Sequence, residues 1–294
     1  MYKIEIILFT LFLITLYIIN NKRIKENKRW REKWNSIIYN KLDDNTLQLN
    51  FCICFFGVIS RSLEFTLNSI NENILNVLSQ NNIKTDIFVH DMIVKQFISN
   101  RAGDNNTIKD NSKLLESLNC NNLFYDRTEQ IEFDREFNWK KTIKYGYMEN
   151  NYNTHQNAIR QLYSLKKVTH MWQNKNNKYD LYIYLRPDLL YINKLDIKMI
   201  LNNILYSKCL GTPNWHRCGG LNDRIYMGNK HIMEIIGNRF DYIENYINKK
   251  KTFYHPEKFL KYITTTNNIN CITIDLKGKR IRSNGKTAIY DEKF

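Results

Sequence analysis

An apolar, aromatic-rich segment runs directly into two oppositely charged side chains. Residues 179–188 read Y-D-L-Y-I-Y-L-R-P-D and end in Arg186 and Asp188. Ligands of open α/β sheets bind in the crevice beyond the carboxyl ends of the strands. Arg186 and Asp188 are therefore the first candidates for a binding site. Pro187 between them is equally typical of a plain strand end.

Three other polar clusters follow segments that we expect to be strands or tight turns. They are Gly57 with Arg61 after F-C-I-C-F-F, His90 with Asp91 after D-I-F-V, and Asn222-Asp223-Arg224 after two glycines. The carboxyl ends of parallel strands lie along one edge of a sheet. We therefore expect these clusters, although far apart in sequence, to meet in one crevice.

Short apolar runs alternate with segments whose apolar residues recur at helical spacing. The runs predict strands at 51–58, 86–90, 123–125, 179–185, 208–211, 225–227 and 271–276. The spacing predicts helices at 63–78, 151–174, 195–206, 231–247 and 256–264, and residues 126–150 are expected to be irregular. The fold class predicted from this alternation is α/β, a mainly parallel sheet flanked by helices.

The chain begins with an uncharged apolar run, Ile6 to Ile19, which no small-residue cleavage pattern follows. This pattern predicts an uncleaved membrane anchor at residues 1–21, followed by a basic stalk at 22–48 and the folded domain at 49–294. A buried core helix is the alternative. The positive charges after the anchor favour a membrane protein with its domain on the cytoplasmic side over a lumenal one.

The net charge of +15 is unevenly distributed along the chain. Residues 22–33 contribute +5 and residues 277–294 contribute +4, which leaves +6 on residues 36–276. The central domain is thus only mildly basic, and it contains no zinc-finger spacing and no RNA-binding aromatic motif. We expect no nucleic-acid partner.

Five segments, taken in this order and spacing, resemble the GT-A type glycosyltransferases, in particular a group found in large DNA viruses, bacteria and some eukaryotes. They are F-F-G-V-I-S-R-S from Phe55, D-I-F-V-H from Asp86, Y-D-L-Y-I-Y-L-R-P-D from Tyr179, G-G-L-N-D-R-I-Y-M-G from Gly219 and H-P-E-K-F-L from His255. The resemblance implies a GT-A (Rossmann-like) sheet. It also implies a nucleotide-sugar donor and a glycan, lipid or protein acceptor.

The resemblance also implies roles for the clustered residues. Those assigned to the donor are Gly57, Arg61, His90, Arg186 and Asp188. GT-A enzymes usually hold Mn²⁺ or Mg²⁺ on an Asp-x-Asp motif, and carboxylate oxygens suit these ions. Here Arg186 replaces the first Asp, so Asp188 alone is the expected metal ligand, or Arg186 itself neutralises the diphosphate.

Sugar transfer to an acceptor hydroxyl calls for a carboxylate that takes up its proton. Asp223 is the first candidate for this base, and Glu257 is the alternative. The residues expected on the acceptor side are Asn222, Arg224 and His216. Each residue also has a purely structural interpretation, since Asp223 is typical of a turn and Glu257 of a first helical turn. A non-catalytic carbohydrate-binding or scaffold protein of the same fold remains the alternative function.

Overall fold

The computed structural model describes residues 14–15, 17–22, 25–26, 28–29, 32, 48–99, 104–147, 152–175, 177–205 and 207–291. The chain divides into two units, Met1–Leu47 and Gln48–Phe294. Most of the predicted anchor and stalk lies outside the described residues, and the anchor stays a prediction. Within the described ranges, no helix is both long enough and apolar enough to cross a membrane.

The strands of the second unit form one large sheet and two small ones. Their bounds are β1 Leu49–Gly57, β2 Ile83–Ile93, β3 Gln96–Ser99, β4 Asp104–Thr107, β5 Asn122–Glu129, β6 Leu181–Leu185, β7 Leu189–Tyr191, β8 Cys209–Pro213, β9 Ile225–Gly228, β10 Asn270–Ile274 and β11 Gly278–Arg280. The large sheet has the order β10-β8-β9-β6-β1-β2-β5. β1 pairs in parallel with β2 and β6, whereas β9 runs antiparallel to β6 and β8.

The helices of this unit have the bounds α1 Leu63–Ile70, α2 Asn76–Gln80, α3 Gln130–Glu136, α4 Tyr152–Gln173, α5 Ile197–Asn203, α6 Lys230–Gly237, α7 Ile243–Lys250 and α8 Pro256–Thr266. A π turn at Asn71–Leu75 joins α1 to α2. Short 3₁₀ turns include Ile59–Arg61, directly after β1, and Ile289–Asp291 near the end of the chain.

The buried faces of β1 explain its place in the middle of the sheet. Successive side chains of a strand point to opposite faces. On one face, Cys52, Cys54 and Phe56 belong to a buried cluster with Leu162 and Leu165 of α4. The residues between them are also fully buried, so both faces of β1 are covered, as in a parallel sheet between helix layers.

The predicted α/β class with a mainly parallel sheet flanked by helices is confirmed, and several local predictions are corrected. The segment 231–247 is not one helix, because a 3₁₀ turn at Asn238–Tyr242 separates α6 from α7. The segment 126–150 is not wholly irregular, since β5 extends to Glu129 and α3 follows it. The hairpin β3–β4 and the two-stranded sheet of β7 and β11 were not predicted, because residue patterns do not reveal the partner of so short a strand.

Candidate functional site

A cavity of about 180 Å³ opens at the carboxyl edge of the large sheet. It is lined by Gly57 at the end of β1, by the segment that follows β6 and by the residues that precede β9. Because β9 is antiparallel to β6, with Leu185 opposite Ile225, the start of β9 lies at the same edge as the end of β6. The charged lining residues are Arg61, Arg160, Arg186, Arg224, Arg280, Arg282, Asp188, Asp223 and Glu257.

Arg186 and Asp188 form a bidentate ion pair in the cavity wall. Arg186 donates from Nε to Asp188 Oδ1 at 2.8 Å and from Nη2 to Oδ2 at 2.6 Å. Arg61 Nη1 lies 3.5 Å from the same Oδ2. Burial alone would raise the pKa of Asp188, but the charges of Arg186, Arg61 and Arg280 outweigh it and lower the pKa. Asp188 is therefore ionised, although it is only 4% exposed.

The turn after β1 is held so that Arg61 reaches this carboxylate. Gly57 has φ +114°, a conformation that side-chain-bearing residues rarely adopt. Its N–H donates to Ser164 Oγ at 2.9 Å, and the N–H of Ile59 donates to Asp91 Oδ1 at 2.8 Å. Burial raises the pKa of Asp91 to about 6. These bonds fix the path of the chain from β1 into the turn that contains Arg61.

His90, predicted at the donor, is not among the residues that line the cavity. Its ring is fully buried, with Nδ1 2.8 Å from Ser164 Oγ and Nε2 3.0 Å from Thr128 Oγ1. Burial lowers the pKa of His90 to about 4, so the ring is neutral. Both ring nitrogens are used within the protein. His90 thus supports Ser164, which in turn holds Gly57.

The loop before β9 brings Asp223 next to the start of α8. The N–H of Leu221 donates to the carbonyl oxygen of Glu257 at 3.1 Å. At Gly220 a Cβ atom would lie 2.0 Å from that same oxygen, so only glycine permits this approach. Asn222 is fully buried and shapes the turn, donating to Trp215 O and accepting from the N–H of Arg224. Asn222, predicted on the acceptor side, is not among the residues that line the cavity, whereas its neighbours Asp223 and Arg224 are.

Asp223 and Glu257 are two buried carboxylates with different electrostatic surroundings. Burial and the negative charge of Glu257 raise the pKa of Asp223. The pKa of Glu257 is lowered: burial would raise it, but His255, whose Nδ1 lies 3.1 Å from Oε2, and the charge of Arg224 prevail. Two carboxylates whose environments push their pKa values apart are suited to different roles. Asp223 is the better placed of the two to take up a proton near neutral pH.

The end of the chain contributes a part of the site that the sequence patterns did not single out. The N–H of Ile281 donates to the carbonyl oxygen of Asp188 at 2.8 Å, which brings Arg280 and Arg282 to the cavity. Asp291 is fully buried and accepts from Arg280 Nε at 3.0 Å and Nη2 at 2.9 Å. The only available signal was the alternation R-I-R within a basic tail, which places Arg280 and Arg282 on one face of an extended segment.

Asp291 also links two residues that were predicted on the acceptor side. Arg224 Nη1 lies 3.5 Å from its Oδ2, and His216 Nε2 lies 3.0 Å from its Oδ1. Burial and the charge of Arg280 lower the pKa of Arg224 to about 10. Arg224 lines the cavity, whereas His216 is not among the lining residues. The acceptor side stays a prediction for both residues.

The site does not fit the expected Mn²⁺ or Mg²⁺. Both oxygens of Asp188 accept from Arg186, and Arg61 lies against one of them. A metal ion there would have to displace a guanidinium group and would face a second positive charge. Within the part of the chain that the structure describes, no group of three or more His, Cys, Asp or Glu residues is arranged to hold a metal ion.

Comparisons with known proteins show only a similarity in the course of the backbone. No family model matches the chain, and no curated protein matches it. Among solved structures, the chain is similar to mouse xyloside xylosyltransferase 1 in its apo form, with 11% identity over 78% of this chain and 86% of that one and a TM-score of 0.43. It is also similar to the galactosyltransferase LgtC in complex with donor and acceptor sugar analogues, with 9% identity, 76% and 73% coverage and a TM-score of 0.43. Neither likeness assigns an activity to this chain.

Proposed function

We propose that this chain is a GT-A type glycosyltransferase that moves a sugar from a nucleotide-sugar donor to a glycan, lipid or protein acceptor. The observation that carries the proposal is the cavity wall, where guanidinium groups and a buried carboxylate with a raised pKa face the same space. Arginine side chains bind phosphate oxygens bidentately. The carboxylate supplies a base for the acceptor hydroxyl.

In the proposed reaction, the bond between the anomeric carbon of the sugar and the diphosphate oxygen breaks, and its electron pair stays on the diphosphate. A new bond forms between the acceptor oxygen and the anomeric carbon. The proton of the acceptor hydroxyl passes to Asp223, our candidate base, with Glu257 as the alternative. Positive groups preorganised around the leaving diphosphate stabilise the charge that develops on it. Arg61, Arg186, Arg224 and Arg280 supply these groups, and the predicted Mn²⁺ or Mg²⁺ has no assigned step.

The surroundings of Asp223 favour an enzyme over a carbohydrate-binding or scaffold protein. Keeping Asp223 ionised in a buried position is energetically costly. Among the described residues its carboxylate makes no hydrogen bond that would serve the fold, and its ion pair with Arg224 Nε is 3.9 Å long. Perturbed carboxylates in a cleft are typical of catalytic sites.

The test is a screen that measures nucleotide release from a panel of nucleotide sugars, with a mixed glycan and lipid acceptor set. We expect release with at least one donor, and loss of release in Asp223→Asn. Asp110→Asn is the matched control, because Asp110 is exposed, pairs with Arg127 and lies outside the cavity lining. Binding of a nucleotide sugar without any turnover by the wild type would favour the non-catalytic alternative.

We further propose that residues 1–21 anchor the protein in a membrane, with the folded domain on the cytoplasmic side. The support is the apolar run Ile6 to Ile19 and the positive charges that follow it in the sequence. Membrane fractionation of the full chain against a chain lacking residues 1–40 tests the anchor. Protease protection in sealed vesicles tests on which side of the membrane the folded domain lies.

A further inference from the structure

Asp188 holds the position at which a metal ligand is expected, yet its contacts are those of a carboxylate that orients arginines. The Arg186 guanidinium meets it with two parallel N–H···O bonds, the strongest geometry available to this pair. Arg61 is 7% exposed and adds a second positive charge at 3.5 Å. Removing either arginine from Asp188 to admit a metal ion would leave a buried charge without its partner, which is strongly unfavourable.

A second buried aspartate orients the arginines on the other side of the cavity. Asp291 accepts from the backbone N–H of Arg280 at 2.8 Å as well as from its guanidinium group. The same carboxylate lies against Arg224, which is 4% exposed. Each aspartate thus fixes two arginines, and all four arginines line one cavity.

The charge balance of the cavity lining suits a polyanion. Among the described residues, six arginines and three carboxylates line it, a formal surplus of three positive charges. Buried arginines remain charged, because the guanidinium group is not deprotonated in proteins. A divalent cation would add to this surplus, whereas a diphosphate would offset it.

From these contacts we infer that the diphosphate of the donor is bound by Arg61, Arg186, Arg224 and Arg280 without a divalent cation, and that Asp188 and Asp291 are positioning residues for these arginines. This inference rests on the proposed function, since it concerns the leaving group of the same reaction. It assigns to Asp188 a role different from that of a metal ligand. It also gives the end of the chain a part in donor binding.

The experiment is titration calorimetry of the full chain with inorganic pyrophosphate, UDP and GDP, in EDTA and again in excess Mn²⁺ or Mg²⁺. We expect at least one of these probes to bind, with a dissociation constant that differs less than about threefold between the two conditions. Binding that needs the metal, or that tightens tenfold or more with it, overturns the inference and leaves the proposed function standing. No binding in either condition overturns the proposed function itself.

Variants separate positioning from metal ligation. Asp188→Asn should weaken binding of the same probe in EDTA by about tenfold, which is 1.4 kcal/mol, because Arg186 and Arg61 lose the charge that holds them. A metal ligand would show its effect only when metal is present, and that outcome contradicts the inference. Arg282→Gln removes a positive charge of the cavity lining that is not one of the four assigned arginines, so it should weaken binding in EDTA less than Asp188→Asn does. Arg127→Gln is the control, since Arg127 pairs with exposed Asp110 away from the cavity. Thermal unfolding of each variant tests whether the fold is retained.

Discussion

Replacing Asp291 by asparagine should destabilise the fold more than any other single charge removal near the chain terminus. The carboxylate has no exposed surface, accepts three hydrogen bonds from Arg280 and lies within ion-pair distance of Arg224 and His216. Removing one partner of a buried ion pair costs about 3–5 kcal/mol, because the remaining charge is left unpaired. Asparagine keeps one acceptor oxygen, so we expect a value near the lower end, about 3 kcal/mol.

The assay is urea and thermal unfolding followed by tryptophan fluorescence. For a domain of this size each kcal/mol lowers Tm by about 2–4 °C, so a loss of about 3 kcal/mol corresponds to a drop of roughly 6–12 °C. Asp275→Asn is the matched control, because Asp275 has a 75% exposed side chain and pairs with Lys277 at 3.6 Å. Exposed pairs contribute at most about 1 kcal/mol. A loss below about 1 kcal/mol for Asp291→Asn would refute the role assigned to its charge.

The pH dependence of this difference has a defined sign. The pKa of Asp291 is lowered from 3.8: burial opposes ionisation, but the hydrogen bonds from Arg280 and the charge of Arg224 prevail. A carboxylate with a depressed pKa stabilises the fold fully above its unfolded value, and this contribution is lost as pH falls through the folded value. The gap between wild type and Asp291→Asn should therefore be constant near neutral pH and narrow below pH 3.8. A gap that widens below pH 3.8 contradicts this assignment.

Three further predictions concern the candidate base, its loop and the start of the chain. If Asp223 is the base, kcat/KM should fall in acid with a midpoint above pH 3.8. Glu257→Gln should move that midpoint to lower pH, because a negative charge next to Asp223 is removed. Complete loss of activity in Glu257→Gln would instead assign the role of base to Glu257. Gly220→Ala should lower the free energy of unfolding by about 1–3 kcal/mol through overpacking, and it should reduce transfer. Gly278→Ala is the control: its Cβ would meet a side-chain carbon at 3.2 Å, so the loss in the same unfolding assay should be smaller. Removal of residues 1–40 should give soluble protein whose Tm stays within about 2 °C of that of the full chain, since the large sheet lies in residues 48–294. Aggregated or unfolded protein would place the apolar run inside the fold.

The sequence by itself determined the alternation of strands and helices in broad outline and the sheet edge at which the charged residues gather. A short apolar run such as 51–56 that ends in turn residues is typical of a buried strand, and charged residues that follow it lie beyond its carboxyl end. Arg61, Arg186, Asp188 and Asp223 were predicted to share one cavity on this ground, and the structure brings them together.

Only the tertiary structure decided how these charges are partnered. The antiparallel placement of β9, the burial of His90 away from the cavity and the return of the chain end to Asp188 all depend on contacts between distant segments. Local sequence patterns do not show which distant segments pair, because the free energy of a contact depends on the residues of the other segment that pack against it. Asp188 therefore looks like a metal ligand in the sequence and is an arginine-bound carboxylate in the fold. Asp291, an ordinary tail residue in the sequence, becomes the buried charge that holds one side of the site.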